Sequence, residues 1–234
     1  MNALIDGEID RAADLFREAI TAQVEAAARA VRTGDSVADA LDRGGVAEAY
    51  TEAYTAMYLL AASEVYNAID NAQKDYDPEQ YEAWERAVAE HISVEGGSQI
   101  TLIDNHTKQW VMDTVAAITR EAVDEGLGTD EIAARLISKW DELDEMRALR
   151  IAQTEMNSAA NTGSMRAAID SGMTHKMWIT AGDHRVRSSH RDVEKGPIPI
   201  EQTFNNGLMR PSDPASNNAG EVINCRCQLG YSRL

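Results

Sequence analysis

Through most of the first 170 residues, apolar side chains recur at steps of three or four, with charged residues between them. The first such run extends from Ile5 to Val31. Because an α-helix completes a turn in about 3.6 residues, this spacing places the apolar side chains on one face of a helix. The pattern predicts a succession of long amphipathic helices over this part of the chain.

Glycine and proline residues mark where these helices are expected to begin and end. Pro78 follows an acidic residue at a favourable helix start, and Gly172 is well placed to end the last helix. Thr129 is expected to cap a short helix. The third helix should stop before the pair Gly96-Gly97. The predicted helices cover residues 8–32, 46–74, 78–95, 100–123, 130–140 and 142–171.

The character of the sequence changes after Gly172. Four of the five prolines lie in this last part, together with several glycines and an Asn-rich loop. Short β-prone segments are predicted at residues 176–180, 222–223 and 227–231. We therefore predict an α+β fold that is predominantly α, in which a long-helix region precedes a small mixed α/β C-terminal module. The predicted division is an acidic helical arm or bundle at residues 1–126 and the module at 127–234, with helices at 129–172 and short strands and loops at 173–234.

The acidity of the chain is concentrated in its helical part. The formal net charge is −17, and residues 1–150 carry 13 Lys and Arg against 31 Asp and Glu. Residues 151–234 are nearly neutral, with 9 basic and 8 acidic side chains. Because so negative a surface repels nucleic acid, DNA binding is excluded as the main role of the helical part.

The sequence also bears on the compartment of the protein. No apolar run approaches the roughly 18–20 residues needed to cross a bilayer, so no membrane partner is expected. Two cysteines are too few for the disulfide framework of a secreted domain. The first residues lack the basic and apolar regions of a secretion signal. We expect the protein to fold in a reducing cytoplasm.

A histidine in a basic cluster and a Cys-x-Cys pair form a candidate metal site. His190, Cys225 and Cys227 would supply three ligands to a structural zinc ion, which binds imidazole nitrogen and thiolate sulfur readily. The candidates for a fourth ligand are water, Asp183, His184 and Asp192. Two other interpretations need no cofactor: the thiols are small buried hydrophobes beside a structural histidine, or a strained Cys225–Cys227 disulfide forms.

Motifs of the common enzyme classes are absent from the sequence. It contains no Walker loop, no G-x-G-x-x-G, no H-E-x-x-H and no G-x-S-x-G. A Cys/His pair can in principle act as a nucleophile with its base. The alternative function is a metal-dependent hydrolase or nuclease that uses Asp183, His190, Cys225 and Cys227. Since Asp, His and Arg in loops more often cap turns and form ion pairs, we predict that the chain is not an enzyme and has no catalytic residues.

An ordered series of short motifs extends from residue 128 to residue 227. The motifs are Gly128-Thr129-Asp130-Glu131-Ile132-Ala133, Arg150-Ile151-Ala152-Gln153-Thr154-Glu155, Asn161-x-Gly163, Lys176-x-Trp178-x-Thr180-x-x-Asp183, Val186-Arg187-x-x-His190, Pro211-Ser212-Asp213 and Asn224-Cys225-Arg226-Cys227. In this order the series resembles the phage Mu F-like head morphogenesis family, the minor capsid proteins of tailed bacteriophages. The resemblance covers less than half of the chain.

The resemblance implies a set of characteristic positions. We expect Glu155 and Arg187 to form a polar bridge between the last helix and the C-terminal unit. Asp183 should hold its turn, and His190 with the two cysteines should pin the terminal strands, with or without zinc. The positions carried over from the family are Arg150, Thr154, Glu155, Asn161, Gly163, Trp178, Asp183, Arg187, His190 and Asn224, together with Cys225 and Cys227.

The resemblance also implies a structural role in the virion. Such proteins associate with the portal, enter the procapsid in few copies and help to produce an infectious head. The expected location is the phage head near the portal vertex, after assembly in the host cytoplasm. The expected partners are the portal protein and the inner capsid wall. Packaged DNA is a further candidate partner, reached through Arg185, Arg187 and Arg191.

Overall fold

The fold is a bundle of helices followed by a small antiparallel sheet. A computed structural model describes residues 2–41, 44–70, 77–194, 196–216 and 218–234. In chain order the elements are α1 (Asn2–Thr33), α2 (Val37–Ala40), α3 (Gly44–Asp70), α4 (Pro78–His91), a π-helical turn (Ile92–Gly96), α5 (Gly97–Glu125), α6 (Thr129–Asp141), α7 (Asp144–Asp170), β1 (His175–Ile179), α8 (Ser188–Arg191), β2 (Ile198–Pro199), α9 (Ala219–Val222) and β3 (Gln228–Ser232). The predicted class, α+β and predominantly α, is confirmed.

Helices α1, α3 and α7 form the centre of the bundle, and α6 packs against α1. The apolar face predicted for α1 is buried: Phe16 and Ile20 are fully enclosed, beside Tyr54 and Met57 of α3. Trp140 at the end of α6 joins the same core and donates a hydrogen bond from its indole nitrogen to Thr21 Oγ1 at 2.8 Å. A single hydrophobic core therefore includes residues from both sides of position 127. None of the helices in the described ranges is long and apolar enough to cross a membrane.

Gly163 marks the closest approach of α3 and α7. A Cβ atom at this position would lie 2.2 Å from the backbone oxygen of Tyr58. Only a residue without a side chain lets the two helix backbones approach this closely. The small-residue stretch around Gly163 therefore serves tight packing within the chain.

The last long helix ends at Gly172 as predicted, and both this glycine and Gly126 after α5 adopt a left-handed conformation. The predicted stop before Gly96-Gly97 is wrong, because both glycines have helical dihedral angles and α4 passes through the π-helical turn directly into α5. Gly96 is packed instead: a Cβ atom there would lie 3.2 Å from the ring of Tyr50. Gly128, and not the predicted Thr129, occupies the capping position of α6. The predicted end of the second helix at Lys74 lies outside the described residues.

The C-terminal sheet has the order β2-β1-β3, and both pairs are antiparallel. The strands predicted at 176–180 and 227–231 correspond to β1 and β3, which are shifted by one residue. The strand predicted at 222–223 is wrong: Asn218 caps a helical turn there through its hydrogen bond with the Gly220 N–H. A second, smaller hydrophobic core lies under the sheet and contains Trp178, Phe204, Leu208, Leu229 and both cysteines.

Candidate metal centre

His190, Cys225 and Cys227 meet in the second core, and we refer to them as the His–thiol cluster. His190 Nδ1 lies 3.6 Å from Cys225 Sγ and 3.5 Å from Cys227 Sγ. The three atoms lie within 4.8 Å of one another, and each residue is 2% exposed. The structure therefore brings together the three residues that the sequence analysis names as candidate metal ligands. Within the described parts of the chain, no other group of His, Cys, Asp and Glu side chains has this arrangement.

The surroundings of His190 fix the orientation of its ring. Its Nε2 lies 2.8 Å from Glu221 Oε2, although the N–H is not aligned for a hydrogen bond with that oxygen. The same Glu221 oxygen accepts a hydrogen bond from Ser189 Oγ at 2.9 Å. Trp178 packs edge-on against the imidazole, with the ring centres 5.1 Å apart. A carboxylate beside Nε2 favours the proton on that nitrogen, which leaves the lone pair of Nδ1 facing the sulfurs.

Helix α7 holds the segment that carries the two cysteines. Thr154 Oγ1 accepts a hydrogen bond from the Asn224 N–H at 3.1 Å. Asn157 and Asn161 both donate to the Cys227 carbonyl, at 3.3 and 3.1 Å. These three side chains follow the i, i+3, i+7 spacing that places residues on one face of a helix. Thr154, Asn157 and Asn161 therefore join helix α7 to the segment that carries the cysteines.

The pKa values of the two thiols in the His–thiol cluster are shifted in opposite directions. The hydrogen bond with Cys227 lowers the pKa of the Cys225 thiol, burial opposes this, and the contact with His190 lowers it further. The same thiol–thiol contact, together with burial, raises the pKa of Cys227. Burial lowers the pKa of His190, but the hydrogen bond and charge of Cys225 and the charge of Glu221 outweigh it and raise the pKa overall. Cys225 is therefore the sulfur that ionises first.

Very little space adjoins the cluster. The cavity beside it measures about 10 Å³, which is room for roughly one water molecule. The ligand atoms are therefore enclosed, and the arrangement can hold a metal ion or clamp two segments together.

The side chains proposed as a fourth ligand lie elsewhere. Asp183 forms an ion pair with Arg226 at 2.7 Å, and its Oδ1 accepts a hydrogen bond from the Arg185 N–H. The hydrogen bond from Arg226 and that backbone contact lower the pKa of Asp183 to about 2. Asp183 therefore contacts its own turn through the Arg185 N–H and the C-terminal segment through Arg226. Among the described residues, neither Asp183, His184 nor Asp192 joins the three-ligand group.

The expected bridge between Glu155 and Arg187 is wrong. Arg187 donates to the Ile223 carbonyl. Glu155 is buried in the helical bundle, where it is hydrogen-bonded to Tyr50 of α3. The face of α7 that carries Glu155 points towards α3, and this orientation accounts for the difference. Arg191 is also engaged, through a hydrogen bond to the Val186 carbonyl at 3.0 Å, whereas the side chain of Arg185 is exposed.

A second feature, missed by sequence reasoning, is a groove between α5 and α7. It encloses about 530 Å³. Three positions of the family motif, Arg150, Thr154 and Glu155, lie along one wall. Leu102 and Trp110 of α5 form the other wall. The groove could not be found from the sequence, because its two walls are about 40 residues apart and their spacing depends on how the helices diverge.

A comparison with models of protein families identifies the family to which the chain belongs. The family model described as "Phage Mu protein F like protein" matches residues 113–230, half of the sequence. The chain belongs to the phage Mu F-like family. The matched region contains α6, α7, most of the sheet and the whole His–thiol cluster. No curated protein and no solved structure matches the chain.

Several residues that surround the His–thiol cluster were not identified from the sequence. They are Asn157, Ser189, Ser212 and Glu221, of which Asn157 donates to Ser212 Oγ at 2.8 Å. The i, i+3, i+7 spacing of Thr154, Asn157 and Asn161 was visible in the sequence and indicates a shared polar face. The position of Glu221 was not predictable, because it depends on the turn that α9 forms after Asn218.

Proposed function

We propose that this Mu F-like protein is a minor capsid protein that associates with the portal, enters the procapsid and has a structural role without catalysis. The observation that carries the proposal is the family match over residues 113–230, a family of phage head proteins. The acidic helical body supports it, since a net charge of −17 limits adhesion to packaged DNA. The expected location is the head, near the portal vertex.

The enclosed His–thiol cluster supports a role without catalysis. The alternative, a metal-dependent hydrolase or nuclease, needs an open coordination position that a substrate can reach. Here the ligands are almost fully buried and the adjoining space holds about one water molecule. Asp183, which that alternative requires, is instead paired with Arg226.

We further propose that the groove between α5 and α7 binds an apolar segment of the portal that carries a carboxylate. Arg147 lies in the groove, where burial and the nearby Arg150 lower the pKa of its guanidinium. Its Nη2 donates to Thr107 at 3.3 Å, but among the described residues its Nε has no hydrogen-bond partner. Nor does any described carboxylate form an ion pair with Arg147 or Arg150. The groove is also lined by Asp113 and Glu155, but neither forms an ion pair with these two guanidinium groups, which therefore favour an anionic partner side chain.

Co-expression of the full chain with the portal protein of the same phage tests both proposals. We expect the portal to co-purify with the wild-type chain. Leu102→Asp places a charge on the groove wall, where the side chain is 49% exposed, and should weaken the complex by about tenfold or more. Val123→Asp is the matched control, because Val123 lies on the same helix, is 75% exposed and does not line the groove.

The outcomes separate the two proposals. If the portal does not co-purify with the wild-type chain, the proposed portal association is wrong. If it co-purifies equally with Leu102→Asp and Val123→Asp, the association stands and the groove is not its surface. Arg150→Glu, compared with Arg120→Glu on α5, provides a second pair that tests the charge rather than the apolar wall.

A further inference from the structure

We propose that the His–thiol cluster binds one Zn²⁺ ion through His190 Nδ1, Cys225 Sγ and Cys227 Sγ. The ion would tie three separate segments together: α8, the Cys-x-Cys segment and, through the hydrogen bonds of that segment, helix α7. This inference goes beyond the role in the phage head and does not depend on it.

The distances between the ligand atoms match a tetrahedral zinc site. Zinc–sulfur bonds of about 2.3 Å and zinc–nitrogen bonds of about 2.0–2.1 Å at tetrahedral angles separate nitrogen from sulfur by about 3.5 Å. The observed separations from Nδ1 are 3.6 Å for Cys225 and 3.5 Å for Cys227. Both nitrogen–sulfur separations therefore match such a site, and all three atoms lie within 4.8 Å of one another.

The contacts of His190 suit a zinc ligand. The carboxylate of Glu221 beside His190 Nε2 corresponds to the carboxylate–histidine–zinc arrangement, which directs the other ring nitrogen to the metal. Ser189 Oγ donates a hydrogen bond to the same Glu221 oxygen at 2.9 Å, which holds the carboxylate in place.

Charge balance accounts for the burial of the cluster. Two thiolates and one Zn²⁺ sum to zero, so the loaded site places no net charge in the second core. Binding transfers the thiol protons to solvent, and zinc affinity should therefore fall at low pH. The cavity beside the ligands measures about 10 Å³, which is room for roughly one water molecule.

The full chain, produced in zinc-supplemented medium and purified under reducing conditions, provides the test. Elemental analysis should find about one zinc ion per chain. His190→Ala and Cys225→Ser should each remove most of it. His184→Ala is the matched control, because His184 is an exposed histidine six residues away on the same segment and should retain the metal.

A second measurement covers the case in which the variants fold poorly. Exchange of the wild-type metal for Co²⁺ should give the absorption bands of tetrahedral cobalt bound to thiolate, and a chelator should abolish them. Chelation should also speed proteolytic cleavage after residue 172 and leave the helical signal of the bundle unchanged.

The opposite results would overturn the inference. A wild-type chain with less than about a tenth of a zinc ion, and without cobalt bands, does not bind metal at this site. A mass lower by two hydrogen atoms under non-reducing conditions would show a Cys225–Cys227 disulfide in place of the metal. Loss of zinc from His184→Ala as well as from His190→Ala would place the metal elsewhere.

Discussion

Glu155 lies between α7 and α3 as a buried carboxyl group that pairs with no cation among the described residues. Burial raises its pKa from the ordinary value of 4.5 to about 7, and the hydrogen bond from Tyr50 lowers it only in part. The position belongs to the family motif, yet its contacts are with the helical bundle and not with the C-terminal module. It therefore links the family motif on α7 to the N-terminal helices.

This raised pKa makes the stability of the protein depend on pH. Because the folded state holds the Glu155 proton more tightly than the unfolded state, stability falls as the pH rises from about 4.5 through about 7. The loss amounts to about 3 kcal/mol at pH 8. Glu155→Gln should be more stable than the wild type at pH 8 and nearly equal to it at pH 5. Urea unfolding at the two pH values measures the difference.

Exposed Glu85 on α4 provides the control for this experiment. Glu85→Gln should leave the difference in unfolding free energy between pH 5 and pH 8 as it is in the wild type. A Glu155→Gln variant that is less stable than the wild type at pH 8 would show that the ionised carboxylate stabilises the bundle, contrary to this account.

At the scale of the elements, the contact between α3 and α7 depends on one position without a side chain. Gly163→Ala should lower the free energy of unfolding by about 1–3 kcal/mol, because the added methyl group meets the Tyr58 carbonyl and the helices must separate. Gly7→Ala on α1 is the control: nothing lies within 4 Å of its Cβ position, and alanine favours a helix by about 0.5 kcal/mol or more. Denaturant unfolding of both variants measures the effects, and equal behaviour would contradict the close approach.

The helices could be predicted from the sequence because their period is local. The apolar steps in α1 and the left-handed glycines at positions 126 and 172 define their elements without reference to the rest of the fold. The helix stop predicted before Gly96-Gly97 is wrong because glycine also allows close packing. Gly96 packs against Tyr50, and that contact comes from another helix. The strand predicted at 222–223 failed because the Asn218 cap favours a helical turn over the β-propensity of Val and Ile.

In the candidate site, too, features set by local residue chemistry could be predicted, whereas features set by packing between distant segments could not. Residue chemistry and the order of the motifs together indicated His190, Cys225 and Cys227, and the structure brings them together. The partner of Glu155 could not be predicted, since the sequence shows its place on α7 but not which neighbour that face meets. The groove beside Arg147 likewise depends on the packing of α5.

At the scale of the whole molecule, the N-terminal helices form a bundle with α6 and α7 and not an extended arm. The family match begins at residue 113, inside α5, so the matched part shares its core with helices that lie outside the match. The acidic surface belongs to the bundle, and the almost neutral C-terminal module is attached to it through Thr154, Asn157 and Asn161. In the described parts of the chain, the helical bundle and the C-terminal module therefore each have a hydrophobic core and are joined through α7.

The most direct test of this account is the protein content of purified phage heads. Quantitative mass spectrometry of heads from the phage that encodes this chain should find it in a small, fixed ratio to the portal protein. Heads treated with nuclease and high salt should retain it, because the proposed attachment is to protein and not to DNA. A chain that is absent from purified heads, while the portal is present, would contradict the account.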